Sequence, residues 1–378
     1  RASDYYAGAG ENAFRDFANQ EAIRYFERAL ELAGPQTHLV QRARWLRLMG
    51  EARYRMTQID GSVRDYGAAL AALGRPMPAT AARRGLGLGR ELGRQVAHRL
   101  LPGRLVGRAA PDEVATLLES SRAHEGAAEI HYNLGDFLSS FYLILTSFNL
   151  AERAGPSPEL MRGYANMCAT FGAVNLRRPA DLYQRLAVAT AADVADPPAL
   201  AWMNISLSNY SLWIGEFERA EQEVGISLDL YSRLGEWRRW CVAAWVWPQV
   251  VESKGELGRA RTLWEELIAV ARRSDDTRHL VRGHGGQFFN HLALGETTGA
   301  LASLEAVAGI MADNPEMTVV EERLWHGMNA VAALHHGNTA RAAECAREQL
   351  AAIGRNRLKF DLLEVLATPA EVLTELWE

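Results

Sequence analysis

Gly215-Glu216-Phe217-Glu218-Arg219-Ala220 lies between two amphipathic runs, and its pattern recurs along the chain. Related stretches begin forty residues apart, at Gly255 and Gly295, and a looser one begins at Gly337. Small anchor residues follow at strict forty-residue steps, at Ser140, Ala180, Ala220, Ala260 and Ala300. A fixed period in this range is the sequence signature of stacked helical hairpins. The chain is therefore predicted to be all-α, a right-handed α-solenoid of antiparallel helix pairs.

The residues of one unit explain why each repeat forms a hairpin. After Gly215, apolar or small residues fall at Phe217, Ala220, Val224 and Leu228, which is the spacing of one helix face. Glycine adopts the left-handed conformation that ends the preceding helix and reverses the chain. A single hairpin cannot bury its apolar face alone, so its neighbours in the stack must supply the core.

Composition limits the classes of function. The 378 residues are 48% hydrophobic and 23% charged, and the net charge of −5 argues against nucleic acid as the partner of the whole chain. No apolar run is long enough to predict a membrane span. The three cysteines, Cys168, Cys241 and Cys345, are odd in number and far apart in apolar runs, so we expect small buried hydrophobes in a reducing cytoplasm. The start at Arg1, without an initiator Met, suggests either a piece cut from a longer protein or a processed chain.

The first two units resemble tetratricopeptide repeats. That family places a large residue, a Leu-Gly pair, then small, aromatic and small residues, and a closing proline. In the first unit the matching residues are Tyr6, Ala9-Gly10, Ala22, Phe26, Ala29 and Pro35; in the second they are Leu46, Met49-Gly50, Ser62, Tyr66, Ala69 and Gly74. Later units match more weakly.

Punctuation along the chain divides it into four parts. Residues 1–78 are predicted to form two tetratricopeptide-like hairpins, residues 79–110 a basic irregular segment or helix, and residues 111–368 the hairpin array. The run Thr368-Pro369-Ala370-Glu371 is typical of a helix N-cap, so residues 369–378 are expected to form a capping helix.

The basic segment contains seven arginines between Arg83 and Arg108 against a single acid, Glu91. Its leucines and valine at 88, 92, 96 and 100 share one helix face, while Arg90, Arg94 and His98 lie on the opposite one. Four glycines weaken the helix, so we expect it to be partly irregular until something binds it. It is either a solvated arginine face or a docking surface for an acidic partner, a nucleic acid or an anionic lipid. The residues of that surface would be Arg90, Arg94, Arg99, Arg104 and Arg108.

The motifs of common enzymes are absent. The sequence has no phosphate-binding glycine loop and no Gly-x-Ser-x-Gly, and His284 and His291 have no carboxylate or cysteine one turn away. We therefore predict no catalytic residue, no metal site and no cofactor, and the chain is not expected to be an enzyme.

An aromatic cluster is the stronger indication of a binding site. Four tryptophans fall between Trp237 and Trp247, where they serve either packing or a groove for a peptide or small ligand. The family resemblance implies that ligands meet the first helix of each hairpin. Counting eleven, fifteen and eighteen residues back from the anchors gives three sets of equivalent positions on those helices. Fifteen residues back, for example, gives Ile205, Trp245 and Gly285. The candidate binding residues are Trp202, Asn209, Trp245, Gln249, Arg282 and Phe289.

Two stretches, residues 18–32 and residues 149–167, carry a more specific resemblance. Both are similar to the C-terminal helical-repeat region of bacterial multidomain proteins with a class III adenylate or guanylate cyclase domain and a signal-transduction ATPase domain. The resemblance implies a sensor arm of such a protein. No cyclase or ATPase residue is present in this sequence, so the resemblance assigns no catalytic residue.

Two functions remain open at this point. The first is an interaction scaffold that binds a protein or peptide partner or a neighbouring domain of the same polypeptide, and so regulates that polypeptide. The alternative is a ligand-sensing arm of a bacterial transcriptional regulator, which would bind a small effector. Neither prediction involves nucleic acid bound by this chain or a membrane span.

Overall fold

A computed structural model describes residues 2–16, 18–34, 37–56, 58–314, 319–355 and 363–376. Every regular element in these ranges is a helix, and no residue in them belongs to a strand. No helix within the same ranges combines the length and the hydropathy that crossing a membrane requires. The all-α prediction is confirmed.

The chain divides into two compact units, Arg1–Gly163 and Tyr164–Glu378. The boundary falls inside α9 (Pro158–Ala173), and the predicted divisions after residues 78, 110 and 368 stay predictions. The other helices of the first unit are α1 (Ala2–Arg15), α2 (Asn19–Glu31), α3 (Leu39–Arg55), α4 (Ile59–Ala72), α5 (Ala81–Leu100), α6 (Pro102–Leu105), α7 (Pro111–Asn133) and α8 (Phe137–Ala154). Those of the second unit are α10 (Arg177–Asp193), α11 (Pro197–Trp213), α12 (Phe217–Leu234), α13 (Trp237–Ser253), α14 (Leu257–Arg273), α15 (Thr277–Ala293), α16 (Thr297–Asp313), α17 (Val319–His335), α18 (Thr339–Arg355) and α19 (Leu363–Glu375).

The turns between paired helices lie where the repeat predicts them. Gly215 has a φ of 82°, a left-handed conformation, and its N–H donates to Leu212 O at 3.1 Å, closing α11. The equivalent residues of the other pairs also have positive φ: Gly135, Asn175, Gly255, Gly295 and Gly337. The forty-residue period is therefore a period of hairpins, as predicted.

The small anchors allow the two helices of a pair to come close together. Ala180, Ala220 and Ala260 are fully buried, and Ser208 Oγ on α11 donates to Ala220 O on α12 at 2.8 Å. The first unit has the reverse contact, in which the anchor Ser62 on α4 donates through Oγ to Gly50 O on α3 at 2.6 Å. A larger residue at such a position would separate the backbones.

The largest core belongs to the second unit. It is built around Trp264, Tyr231 and Phe288, which are almost completely buried. Trp264 Nε1 donates to Glu252 Oε1 at 2.8 Å, so its polar edge is satisfied within the core. Residues from α11 to α17 contribute to this core, which explains why successive hairpins of the second unit stack.

The structure differs from two local expectations, for α5 and for the last helix. The glycine-rich residues 81–100 form one continuous helix, α5, with Thr80 Oγ1 accepting from Arg83 N at 3.3 Å. The last helix begins at Leu363, and Pro369 lies inside it, so Thr368 is not its N-cap. Thr368 is buried, and packing of α19 on α17 and α18 overrides the local capping pattern. Residues 377 and 378 of the predicted capping helix lie outside the described residues.

A buried histidine in α7 makes the first unit sensitive to acid. His124 is fully buried, Nδ1 lies 2.7 Å from Ser120 O, and burial lowers the pKa of His124 to about 4. In the unfolded chain His124 has a pKa near 6.5 and binds the proton more tightly. Neutral His124 therefore contributes its full stabilisation above about pH 6.5, and the free energy of unfolding falls as the pH drops towards 4. At about pH 5 the loss due to His124 is expected to be about 2 kcal/mol. Urea unfolding at a series of pH values should give free energies of unfolding for the wild type and for His124→Gln that converge as the pH falls. A difference that stays constant with pH would contradict this.

Candidate functional site

The six candidate residues lie on three helices that pack side by side. The first helices of successive pairs contact one another, α11 with α13, α13 with α15, and α15 with α17. All six side chains are partly buried, so each retains some exposure to solvent. We name this surface of the second unit the first-helix face, and its predicted members are Trp202, Asn209, Trp245, Gln249, Arg282 and Phe289.

Two indole–arginine contacts order the first-helix face. The Trp202 Nε1 group donates to Asn166 Oδ1 at 2.8 Å, and the Arg239 guanidinium lies 5.5 Å from the Trp202 ring centre. The Arg282 guanidinium lies 4.9 Å from the ring centre of Trp245. Cation–π contacts of this kind hold both partners in place. The tryptophans therefore present fixed apolar surfaces.

Arg282 is held from behind by a buried carboxylate. Its Nε donates to Glu321 Oε1 at 2.8 Å, and Glu321 is fully buried. Trp245 Nε1 is buried and has no hydrogen-bond partner in the described part of the chain. The pair Trp245 and Arg282 is thus rigid but leaves one donor unsatisfied.

Two side-chain amides lie beside the tryptophans. Asn209 Nδ2 donates to Ile205 O at 3.0 Å, and Gln249 Nε2 donates to Trp245 O at 2.7 Å. Within the described residues the two amide oxygens accept no hydrogen bond. They are two free acceptors at equivalent positions of α11 and α13.

Asn329 of α17 has a similar hydrogen bond but not an equivalent position. Its Nδ2 donates to Trp325 O at 2.8 Å. It lies eight residues before its turn glycine, Gly337, whereas Gln249 lies six before Gly255. The position of α17 that is equivalent to Gln249 and Phe289 is therefore Val331, and Asn329 lies on another side of the helix.

Phe289 and the positions equivalent to Trp245 have different environments. Phe289 packs edge-on against Phe288, with ring centres 5.1 Å apart, and forms an apolar part of the face. Ile205 is buried, and a Cβ atom built on Gly285 would come within 2.2 Å of Leu324 Cδ2. Both positions face the packing between helices, so of the three equivalent residues only Trp245 is partly exposed.

A groove in the first unit was not predicted. It lies among α1, α3 and α7 and has a cavity volume of about 660 Å³. Its charges are paired: Arg44 contacts Glu11 at 3.1 Å, and Arg122 contacts Glu119 at 3.3 Å. No aromatic cluster or regular spacing marks it in the sequence. Its lining is Asp4, Ala7, Gly8, Glu11, His38, Val40, Gln41, Arg44, Trp45, Ala115, Leu118, Glu119 and Arg122.

The predicted basic surface lies on α5 and α6. Arg90 and Arg94 contact Glu91 at 3.3 and 2.7 Å, and both remain exposed. Arg99 pairs instead with the buried Glu152 of α8. Arg104 is exposed, and Arg108 Nε donates to Gly103 O at 2.8 Å. His98, which was predicted to share the exposed arginine face, is buried.

The cysteines are the buried thiols that were expected. Cys168, Cys241 and Cys345 are buried and free, and burial raises the pKa of Cys168 and of Cys241 to about 12. Such thiols are protonated at neutral pH and unreactive. Among the described residues, no group of three His, Cys, Asp or Glu side chains is placed to hold a metal ion.

Comparisons with known proteins identify the fold. No protein-family model and no curated protein sequence matches the chain. A Rap protein crystallised in complex with competence and sporulation factor has a similar structure, with a TM-score of 0.57, 8% identity, and coverage of 99% of this chain and 98% of that one. Aspartyl phosphate phosphatase F from Bacillus subtilis gives 0.49 at 10% identity, covering 100% and 93% of the two chains. A tetratricopeptide repeat protein from Parabacteroides merdae gives 0.36 at 11% identity, covering 100% and 99%. The chain is a tetratricopeptide-like helical-repeat protein.

Proposed function

We propose that this chain is a non-catalytic regulatory module whose first-helix face binds an extended peptide segment. The observation that carries the proposal is the pair of free amide oxygens on Asn209 and Gln249, at equivalent positions of neighbouring helices. Each amide is fixed by a hydrogen bond to its own helix, so each oxygen is ready to accept a hydrogen bond at no further ordering cost. Main-chain N–H groups of a peptide are the donors that such acceptors suit.

The spacing of the two amides favours an extended backbone. Packed helices lie about 8–10 Å apart, and a polyproline II chain advances about 9 Å per turn of three residues. One N–H of the peptide would therefore meet Asn209, the third residue on would meet Gln249, and the next turn of the peptide would reach the apolar ring of Phe289. Trp202 and Trp245 supply apolar surface for the side chains between these bonds.

The surface and the fold together support a sensor arm. The Rap protein of similar fold was crystallised with competence and sporulation factor, which supports ligand binding by helical repeats of this kind. The resemblance of residues 18–32 to cyclase–ATPase proteins supports a parent that is regulated through this arm. A peptide that binds one packing arrangement of the hairpins better than another would shift the balance between them. Determining the reading frame upstream of Arg1 tests the parent: a cyclase or ATPase domain there supports it, and unrelated sequence rejects it.

Peptide selection tests the binding surface. A random dodecapeptide phage library is selected on the immobilised chain, and the enriched peptides are measured by fluorescence anisotropy. Each amide bond contributes about 1 kcal/mol, so Gln249→Ala should weaken binding by roughly fivefold, and Trp245→Ala with Gln249→Ala by roughly a hundredfold. Gln222→Ala is the matched control, since that glutamine is exposed on α12.

Several outcomes would reject the peptide proposal. Enriched peptides that bind the double variant as tightly as the wild type would place the site elsewhere. A selection without enrichment, together with calorimetric binding of a nucleotide that Trp245→Ala abolishes, would favour the alternative of a small-effector sensor in a transcriptional regulator. Circular dichroism melting of each variant shows that lost binding is not lost folding.

A further inference from the structure

Helix α5 turns its polar side towards the protein and its apolar side towards solvent. Its buried residues are Glu91, Gln95 and His98, none more than 7% exposed. Leu92 and Leu100 on the outer side are 53% and 73% exposed. An amphipathic helix of a globular protein normally has the opposite orientation. The apolar side of α5 is therefore left without a partner by the described part of this chain.

Hydrogen bonds to α8 fix this orientation. Gln95 Nε2 donates to Glu152 Oε2 at 2.7 Å, and His98 Nδ1 lies 2.7 Å from the same oxygen. Asn149 Nδ2 donates to Glu91 Oε2 at 2.8 Å. Turning the leucines inward would break these bonds and place the Glu152 carboxylate of α8 against an apolar surface. The outward apolar side is a stable feature of the fold.

The outer surface has the relief of a helix-packing site. One row of residues four apart forms a ridge, and the next row is a groove whose floor is glycine. Helices pack by placing the ridge of one into the groove of the other. A Cβ atom built on any of the three glycines would meet nothing within 4 Å, so the groove is open. The ridge is Leu92, Val96 and Leu100, and the groove is Gly85, Gly89 and Gly93.

The charge around the groove is positive. Arg83, Arg90 and Arg94 are exposed beside it, and the Arg83 guanidinium has no partner in the described residues. Glu91, the acid of this helix, is buried and already paired with Arg94. A second copy of α5 would bring like charges together, which disfavours self-association through this surface. An acidic partner is favoured by the same field.

We propose that the outer side of α5 docks an amphipathic helix of a partner protein. The apolar ridge of that helix lies in the glycine groove, and its acidic flank faces Arg83, Arg90 and Arg94. An anionic membrane would use the arginines but gain little from a groove without side chains, because membrane binding scales with buried apolar area. The glycine floor is of use only to a partner that approaches the α5 backbone closely, as a helix does.

Fluorescence anisotropy with designed peptides tests the docking. The probes are helical peptides as long as α5, with a leucine and alanine stripe and either glutamate or lysine along one flank. We expect the glutamate peptide to bind at least roughly tenfold more tightly than the lysine peptide, and added salt to reduce the difference. Arg83→Glu should reduce the ratio of the two affinities at least roughly threefold.

Two substitutions separate the groove from general charge attraction. Gly89→Leu fills the groove and should weaken the glutamate peptide at least roughly tenfold, while a melting curve at or above the wild type shows that folding is intact. Leu92→Ser should also lower the affinity for the glutamate peptide. Leu134→Ser, at a leucine that is 55% exposed elsewhere in the first unit, is the matched control and should change nothing.

The proposal fails on clear results. Absence of glutamate-peptide binding at about 100 μM would overturn it, and so would binding that Gly89→Leu and Leu92→Ser leave unchanged. Binding of phosphatidylglycerol vesicles or of duplex DNA that Leu92→Ser weakens, with no peptide binding, would assign the surface to a membrane or a nucleic acid instead. Dimerisation in sedimentation that Leu92→Ser abolishes would assign it to a second copy.

Discussion

Trp264→Ala should lower the free energy of unfolding of the second unit by about 3–5 kcal/mol. The indole is fully buried at the centre of the core, so its removal leaves a cavity that rigid neighbouring helices cannot fill. Its N–H bond to Glu252 is lost as well, which leaves that carboxylate with one donor fewer. Urea unfolding followed by the remaining tryptophan fluorescence gives the change directly.

Trp237→Ala is the matched control for the same change of side chain. Trp237 is 45% exposed at the start of α13 and rests edge-on against Trp240, with ring centres 6.4 Å apart. Its removal should cost less than about 1 kcal/mol. Similar losses for the two variants would mean that the core is not organised around Trp264, and that stacking of the hairpins depends on surface contacts.

The hairpins could be predicted because each repeat has the same residue types at the positions that shape the turn and the helix contact. A glycine at the turn must adopt positive φ, and a small residue five positions later must lie where backbones meet. Both requirements are met at Gly215 with Ala220 and at Gly255 with Ala260. A period of forty residues then makes every unit evidence for the others.

The first-helix face could be predicted only in part. Counting from the anchors gives Trp202, Trp245 and Arg282, which lie partly exposed on neighbouring first helices. Counting alone does not show that Gly285 is buried, because the size of Leu324 on the next first helix decides which residue can fill that position. Packing between successive hairpins is set by pairs of side chains, which the period alone does not specify.

The orientation of α5 was beyond sequence reasoning for a different reason. Its pattern shows an apolar and a polar side but not which of them packs inward. That choice depends on Asn149 and Glu152, which are more than fifty residues away and are themselves buried polar groups of α8. Polar partners that are distant in sequence override the usual direction of an amphipathic helix.

Glu152→Ala should release α5 from the first unit. The Glu152 carboxylate is fully buried and holds Gln95, His98 and Arg99 of α5 through one hydrogen-bond network. Removing one partner of a buried ionic network costs about 3–5 kcal/mol, because the remaining polar groups have lost water without regaining a bond. Few apolar contacts would still hold α5 in place, since its leucines face outward.

Hydrogen exchange of the Ala81–Leu100 amides measures the release. In Glu152→Ala these amides should exchange at least roughly a hundredfold faster than in the wild type, while those of α1 and α2 keep their protection. Glu113→Ala, which removes an exposed carboxylate 3.5 Å from Arg153, is the control and should change exchange little. Unchanged protection of α5 in Glu152→Ala would mean that burial of its apolar atoms anchors the helix. That result would also remove the physical reason for an outer apolar side kept free for a partner.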